Sequence, residues 1–102
     1  MTNEHANKPE LLTGAQVADL ATELPGWTVH DGKLIREWSF PDFNEAMLFV
    51  NRVASFAERA NHHPDIDIRY NRVMLGLVSH DAGGITVRDT ALARELNEDV
   101  AI

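Results

Sequence analysis

The stretch that most restricts this chain is "PDFNEAMLFVNRVASFAERANHHP", residues 41 to 64. Phe43, Ala46, Met47, Val50, Val53, Ala54, Ala57 and Ala60 recur at the helical period for about five turns, so one face of a long helix is apolar. Asp42 can cap its start, with Glu45 three residues later. Pro64 ends it by forcing the residue before it out of helical geometry. Such a helix must bury its stripe against another layer. The flanking sequence says which layer, because on both sides the apolar period changes to two.

Upstream, "WTVHDGKLIREWSF" carries Asp31-Gly32 between two β-favourable runs, a pairing that suits the positive φ angles of a tight hairpin turn. Strands are predicted at about 27–31 and 33–40. Downstream, "DIDIRY" puts Ile66, Ile68 and Tyr70 on one face. A tight turn at Asn71-Arg72 then leads into "VMLGLVSH". Two shorter helices bracket these hairpins. "TGAQVADLATEL" has Thr13 and Gln16 at capping-box spacing, an apolar stripe of Val17, Leu20, Ala21 and Leu24, and a Pro25-Gly26 stop. "TVRDTALARELNEDV" follows the "DAGG" break, with Thr86 and Asp89 as cap and with Leu92, Ala93 and Leu96 inward. The order α-ββ-α-ββ-α predicts an α+β single domain: a four-stranded antiparallel sheet with helices packed on one face. The other face is open or covered by a second subunit. Residues 1–12 are polar and aperiodic and read as a disordered tail, leaving 13–102 as the domain.

The charge balance narrows the function. With 16 acidic and 9 basic residues the formal net charge is −7, which disfavours nucleic-acid or anionic-membrane partners. The absence of cysteine excludes disulfides and thiolate zinc sites. No apolar run approaches membrane-spanning length, and "MTNEHANKPE" lacks a signal-peptide pattern, so a soluble cytoplasmic protein is expected.

What chemistry remains centres on histidine. Glu58 and His62 lie four apart on one side of the long helix, His63 stands at its exit, and His80 ends the last strand. A hairpin brings that strand end back to the start of "DIDIRY". Three imidazoles and a carboxylate then share one end of the sheet, a set suited to acid–base chemistry near neutral pH. Each also has a plain structural reading. His62 complements the dipole at a helix C-terminus, His80 sits solvated before Gly83-Gly84, Asp89 completes a capping box, and Trp27 is a core or rim aromatic. His5 and His30 receive no role. Adjacent histidines diverge, and the His-x-His and His-x-x-x-His spacings are missing, which disfavours a metal site. Nucleophilic catalysis has neither a cysteine nor a Gly-x-Ser-x-Gly elbow, and "DAGG" lacks the lysine of a phosphate loop.

Glu58, three residues, His62-His63-Pro64, five residues, Tyr70, nine residues, His80, eight residues, Asp89: this spacing resembles the signature of the pterin-4a-carbinolamine dehydratases. "LPGW" at 24–27, "REWSFPDFNEAMLFV" at 36–50 and "GGITVRDTALA" at 83–93 are also similar to that family's segments, so the likeness spans nearly all of 13–98. The resemblance implies dehydration of 4a-hydroxytetrahydropterin, the product of aromatic amino-acid hydroxylases, to quinonoid dihydropterin, within tetrahydrobiopterin recycling. It implies His62 and His80 as acid–base partners, His63 orienting the substrate or sharing the proton work, and Glu58 fixing an imidazole or contacting the pterin. Asn61, Trp27, Val78, Ser79, Arg88 and Asp89 would bind substrate or support the pocket. It implies no cofactor and no metal, a homodimer or homotetramer, and a functional link to a hydroxylase. Three positions depart from the usual pattern: Asp67 and Arg69 charge a strand that is often more apolar, and Val78 replaces a small polar residue. A non-catalytic role of the same fold, as a dimerisation cofactor or assembly chaperone, is the alternative.

Overall fold

Glycine and left-handed residues set the punctuation of this chain. Asp31 and Gly32 both have positive φ, 51° and 75°, and turn one hairpin; Tyr70, at φ 52°, begins the turn of the other. The computed structural model describes residues 9–99, and its elements follow in the order α1 (Gly14–Glu23), β1 (Thr28–His30), β2 (Lys33–Ser39), α2 (Phe43–Ala60), β3 (Asp65–Arg69), β4 (Arg72–Leu77) and α3 (Val87–Glu98). The strands form one antiparallel sheet in the order β1-β2-β4-β3, so the two hairpins meet through β2 and β4. The α-ββ-α-ββ-α architecture expected from the sequence is the one observed.

Register separates the two faces. Leu34 lies opposite Leu77, Trp38 opposite Val73, and Ile66 opposite Leu75, so all six side chains point the same way. Leu34, Leu75, Leu77 and Val73 are wholly buried there, beneath Leu20 of α1 and Leu24 at its C-cap, Ala46, Phe49 and Val53 of α2, and Leu92, Ala93 and Leu96 of α3. Each buried leucine contributes roughly 2 kcal/mol of transfer free energy. The opposite face carries ion pairs instead: Lys33 with Asp65 at 2.9 Å and Arg72 with Glu37 at 3.4 Å. Asp67 and Arg69 pair with each other at 3.1 Å, so these two departures from the family pattern satisfy one another.

Several expectations are corrected in detail. The second turn sits at Tyr70-Asn71, not Asn71-Arg72, because Tyr70 leaves the strand by its positive φ and therefore does not share a face with Ile66 and Ile68. The buried stripe of α2 is Ala46, Phe49, Val53 and Ala57, while Phe43, Ala54 and Ala60 lie outside it. Phe49 is drawn inward by an aromatic cluster, 4.7 Å from Trp38 and 5.1 Å from Phe40 between ring centroids. Of the expected tail, residues 1–8 lie outside the described residues. Leu12 is tied down, its amide donating to the Ile85 carbonyl at 3.0 Å. Residues 100–102 of the expected domain also lie outside the description.

A polar clasp holds the start of the first hairpin to the end of α3. Trp27 Nε1 and Arg36 Nη1 both donate to Asn97 Oδ1, at 2.8 and 2.6 Å, and Asn97 Nδ2 donates to the Pro25 carbonyl at 3.0 Å. The Arg36 guanidinium lies 4.5 Å over the Trp38 ring, and burial pushes its pKa down from the ordinary value. Gly26 is obligatory beside it, with φ 90° and an added Cβ meeting the Arg36 guanidinium at 2.8 Å. No helix among the described residues is long and apolar enough to cross a membrane.

Candidate active site

The site begins where α2 stops. Asn61 adopts the left-handed conformation, φ 50° and ψ 41°, which asparagine tolerates better than most residues. Its amide closes on the Glu58 carbonyl at 3.2 Å, and the His62 amide reaches back to Ala57 at 3.1 Å, the two bonds of a Schellman ending. Pro64 prevents the helix from resuming. The chain thus leaves α2 abruptly, and His62 turns from the helix axis toward α3. Continuing the β3–β4 register, in which Asp65 faces Gly76, brings His62 level with Ser79.

His62 Nε2 lies 2.6 Å from Oδ1 of Asp89. The imidazole is 11 % exposed and the carboxylate not at all. Asp89 occupies the third position of α3, where its other oxygen, Oδ2, accepts the Thr86 amide at 2.8 Å and the Ser79 hydroxyl at 3.0 Å. Asp89 therefore caps α3 through one oxygen and holds His62 through the other. An ionised carboxylate only accepts, so the proton it shares with His62 belongs to Nε2. Nδ1 forms no hydrogen bond among the described residues. It accepts a proton when the ring is neutral and donates one when the ring is charged.

The other expected residues are distributed around this pair. His63 Nε2 lies 2.5 Å from Glu58 Oε2, with side chains 57 % and 77 % exposed, so this second imidazole–carboxylate pair stands in solvent. Helical spacing associated Glu58 with His62; the structure gives it to His63, because the left-handed Asn61 swings His62 away. His80 follows Ser79 in a turn rather than ending β4, which stops at Leu77. Its side chain is exposed and makes no hydrogen bond among the described residues. That turn, residues 79–84, is closed by the Gly84 and Gly83 amides on the Ser79 carbonyl, and Ser79 and Gly84 amides and carbonyls form an isolated bridge.

Arg88 anchors the turn from α3, with Nη1 at 2.9 and 3.0 Å from the two carboxylate oxygens of Asp81. Val78 is half-buried between β4 and Ser79. Trp27 is not brought together with the rest: it is 2 % exposed in the core and bonded to Asn97, eight residues along α3 from Asp89, or about 12 Å of helix. Sequence reasoning missed two participants. Thr86 was visible only as a cap, yet its hydroxyl also meets Ser79 Oγ at 2.8 Å. Asp81 carried no signal, since its pairing with Arg88 spans a turn and a helix start that share no period.

A carboxylate-backed imidazole, a second solvent-facing imidazole paired with a carboxylate, and a third on an adjoining turn can exchange protons with a small molecule at this end of the sheet. Comparison with known proteins gives the family. The family model described as pterin 4 alpha carbinolamine dehydratase matches residues 10–98. A protein of Thermomicrobium roseum named "Putative pterin-4-alpha-carbinolamine dehydratase" is 59 % identical over 87 residues, covering 85 % of this chain and 94 % of that one. A protein of the same name from Acidobacterium capsulatum is 52 % identical over 85 residues, 83 % and 92 % of the two chains.

Among solved structures, a transcriptional coactivator/pterin dehydratase from Brucella melitensis superposes with a TM-score of 0.80 at 34 % identity, over 86 % of this chain and 96 % of that one. A pterin dehydratase-like protein described as a RuBisCO assembly factor of the alpha-carboxysome shares the fold, with a TM-score of 0.56 at 18 % identity over 70 % and 82 % of the chains. With a family model covering most of its length and relatives this similar along nearly their whole length, the chain belongs to the pterin 4 alpha carbinolamine dehydratase family.

Proposed function

We propose that this chain catalyses the dehydration of 4a-hydroxytetrahydropterin to quinonoid dihydropterin and water. The observation that carries the reading is His62 held by the buried Asp89 at the sheet end where His63 and His80 also lie, in a chain of this family. In the reaction the C4a–O bond breaks, the N5–H proton is lost, and a C4a=N5 double bond forms. Hydroxide leaves poorly, so one imidazolium protonates the departing oxygen while a neutral imidazole or a relayed water takes the N5 proton. Electrons balance within the substrate, so the chemistry calls for no redox cofactor or metal.

His62 suits the residue nearest the C4a–N5 edge, because Asp89 fixes its ring and compensates the charge of the imidazolium. His80, whose ring makes no hydrogen bond among the described residues, is its acid–base counterpart. His63, oriented by Glu58, binds the pterin or shares the proton work, Asn61 stands beside the pterin, and Val78 offers only its backbone groups. Assembly into a homodimer or homotetramer and service to an aromatic amino-acid hydroxylase complete the proposal. The decisive experiment is a stopped-flow assay of 4a-hydroxytetrahydropterin decay with native protein and with His62→Ala. Acceleration by the native protein, largely lost in the variant, is expected; no acceleration over buffer by native protein overturns the reading.

The name of the Brucella melitensis relative also includes coactivation, which supports a second reading as a non-catalytic dimerisation cofactor. Normal partner activation by a catalytically dead His62→Ala protein would identify that role.

A further inference from the structure

Ser79 stands in the sequence where a substrate contact is expected, yet its side chain faces inward. It is 1 % exposed, and its hydroxyl is consumed by two partners, Asp89 Oδ2 at 3.0 Å and Thr86 Oγ1 at 2.8 Å. Counting protons gives the network a direction. Asp89 can only accept, so the single hydroxyl proton of Ser79 points at Oδ2. Ser79 Oγ is then the acceptor for the Thr86 hydroxyl, whose own oxygen accepts the Arg88 amide at 3.2 Å. Every proton in the chain is aimed toward Asp89.

We infer that Ser79 and Thr86 are positioning residues for the proton chemistry of His62, acting through the Asp89 carboxylate and not through substrate. Two donors on Oδ2, the Ser79 hydroxyl and the Thr86 amide, prevent the carboxylate from rotating about its Cβ–Cγ bond. That leaves Oδ1 in one place, 2.6 Å from His62 Nε2. The imidazole inherits the fixed orientation, its Nε2 proton is held, and Nδ1 presents one lone pair or one proton to whatever binds. Without the Ser79 hydroxyl, Oδ2 keeps a single donor and the Thr86 hydroxyl loses its acceptor. The carboxylate can then swing, and the ring swings with it.

The inference rests on the proposed dehydratase reading for its kinetic consequence, and its spectroscopic consequence is independent of it. Ser79→Ala should lower kcat about 10- to 100-fold, the usual cost of removing a group that orients a working residue, with KM within about twofold. In 15N-labelled protein, the His62 ring N–H proton should give a low-field NMR signal that exchanges slowly in the native chain and is lost or broadened in Ser79→Ala. Ser79→Cys, which keeps the volume and a weak donor, should fall between the two, and it serves if the alanine variant does not fold. Unchanged kcat together with an unchanged His62 signal overturns the inference, as does a large rise in KM at native kcat, which would make Ser79 a substrate contact. If native protein lacks dehydratase activity the functional reading fails, while the His62 signal still decides the positioning role.

Discussion

His62 and Asp89 meet at 2.6 Å although 27 positions separate them, and the carboxylate they share a proton through is also the capping group of α3. Holding the His62 ring and initiating a helix are thus two uses of one side chain.

The pair gives the sharpest mutational contrast. His62→Ala should lower kcat by about 10²- to 10⁴-fold, the range for a lost general acid or base. Asp89→Asn should cost roughly as much by another route. Its amide oxygen can keep the Ser79 and Thr86 donors, which leaves its NH2 facing His62 Nε2 and forces the ring proton onto Nδ1. Stopped-flow turnover at matched far-UV circular dichroism checks both, and native turnover in Asp89→Asn would refute the tautomer argument.

The second pair should behave differently. Because Glu58 and His63 are mostly in solvent, their contact is worth no more than about 1 kcal/mol. Glu58→Gln should leave the melting temperature within error. Turnover should fall by roughly tenfold, since only the orientation of one imidazole is disturbed. A large loss of stability would contradict the exposed geometry.

Arg88 offers a test of the turn that carries His80. Arg88→Ala removes the bracket on Asp81, so the amides of Gly83 and Gly84 should exchange faster with solvent. Turnover should decline roughly tenfold at little cost in stability. Native exchange rates in the variant would show that the turn holds itself.

Trp27 separates core from pocket wall. Trp27→Phe keeps an aromatic ring in the core but deletes the bond to Asn97, so stability should fall by about 1 to 2 kcal/mol while kcat and KM hold. Denaturant unfolding and steady-state kinetics on the same sample decide it. A raised KM at unchanged stability would place the ring against substrate.

Much of this was legible because it is local. The capping boxes at Thr13–Gln16 and Thr86–Asp89 and the Asp31-Gly32 turn are contacts within three residues, and all are present as read. Pro64 announced only an outer limit for α2, which stops earlier, at Ala60, because Asn61 turns left-handed. The face of α2 was not fully legible, since periodicity fits two overlapping stripes and the choice of Phe49 over Phe43 depends on Trp38 and Phe40 from another element. Tyr70 continued the alternation of β3 on paper, but the hairpin needed a left-handed residue there. In the site, the cluster of residues could be read while the pairing could not. Helical spacing suggested Glu58 for His62, and a single left-handed residue, Asn61, reassigned each histidine to a different acid.

On the proposed dehydratase reading, the double use of Asp89 bears on how such a chain could lose its chemistry. A descendant released from catalysis would still need an acceptor at the start of α3, so selection for folding alone would retain the aspartate long after the histidine had drifted. In comparing relatives, Asp89 is therefore a poor witness to activity. His62, whose ring is not needed to start or end any helix, is the informative position, and its replacement beside a retained aspartate would mark a scaffold that has outlived its reaction.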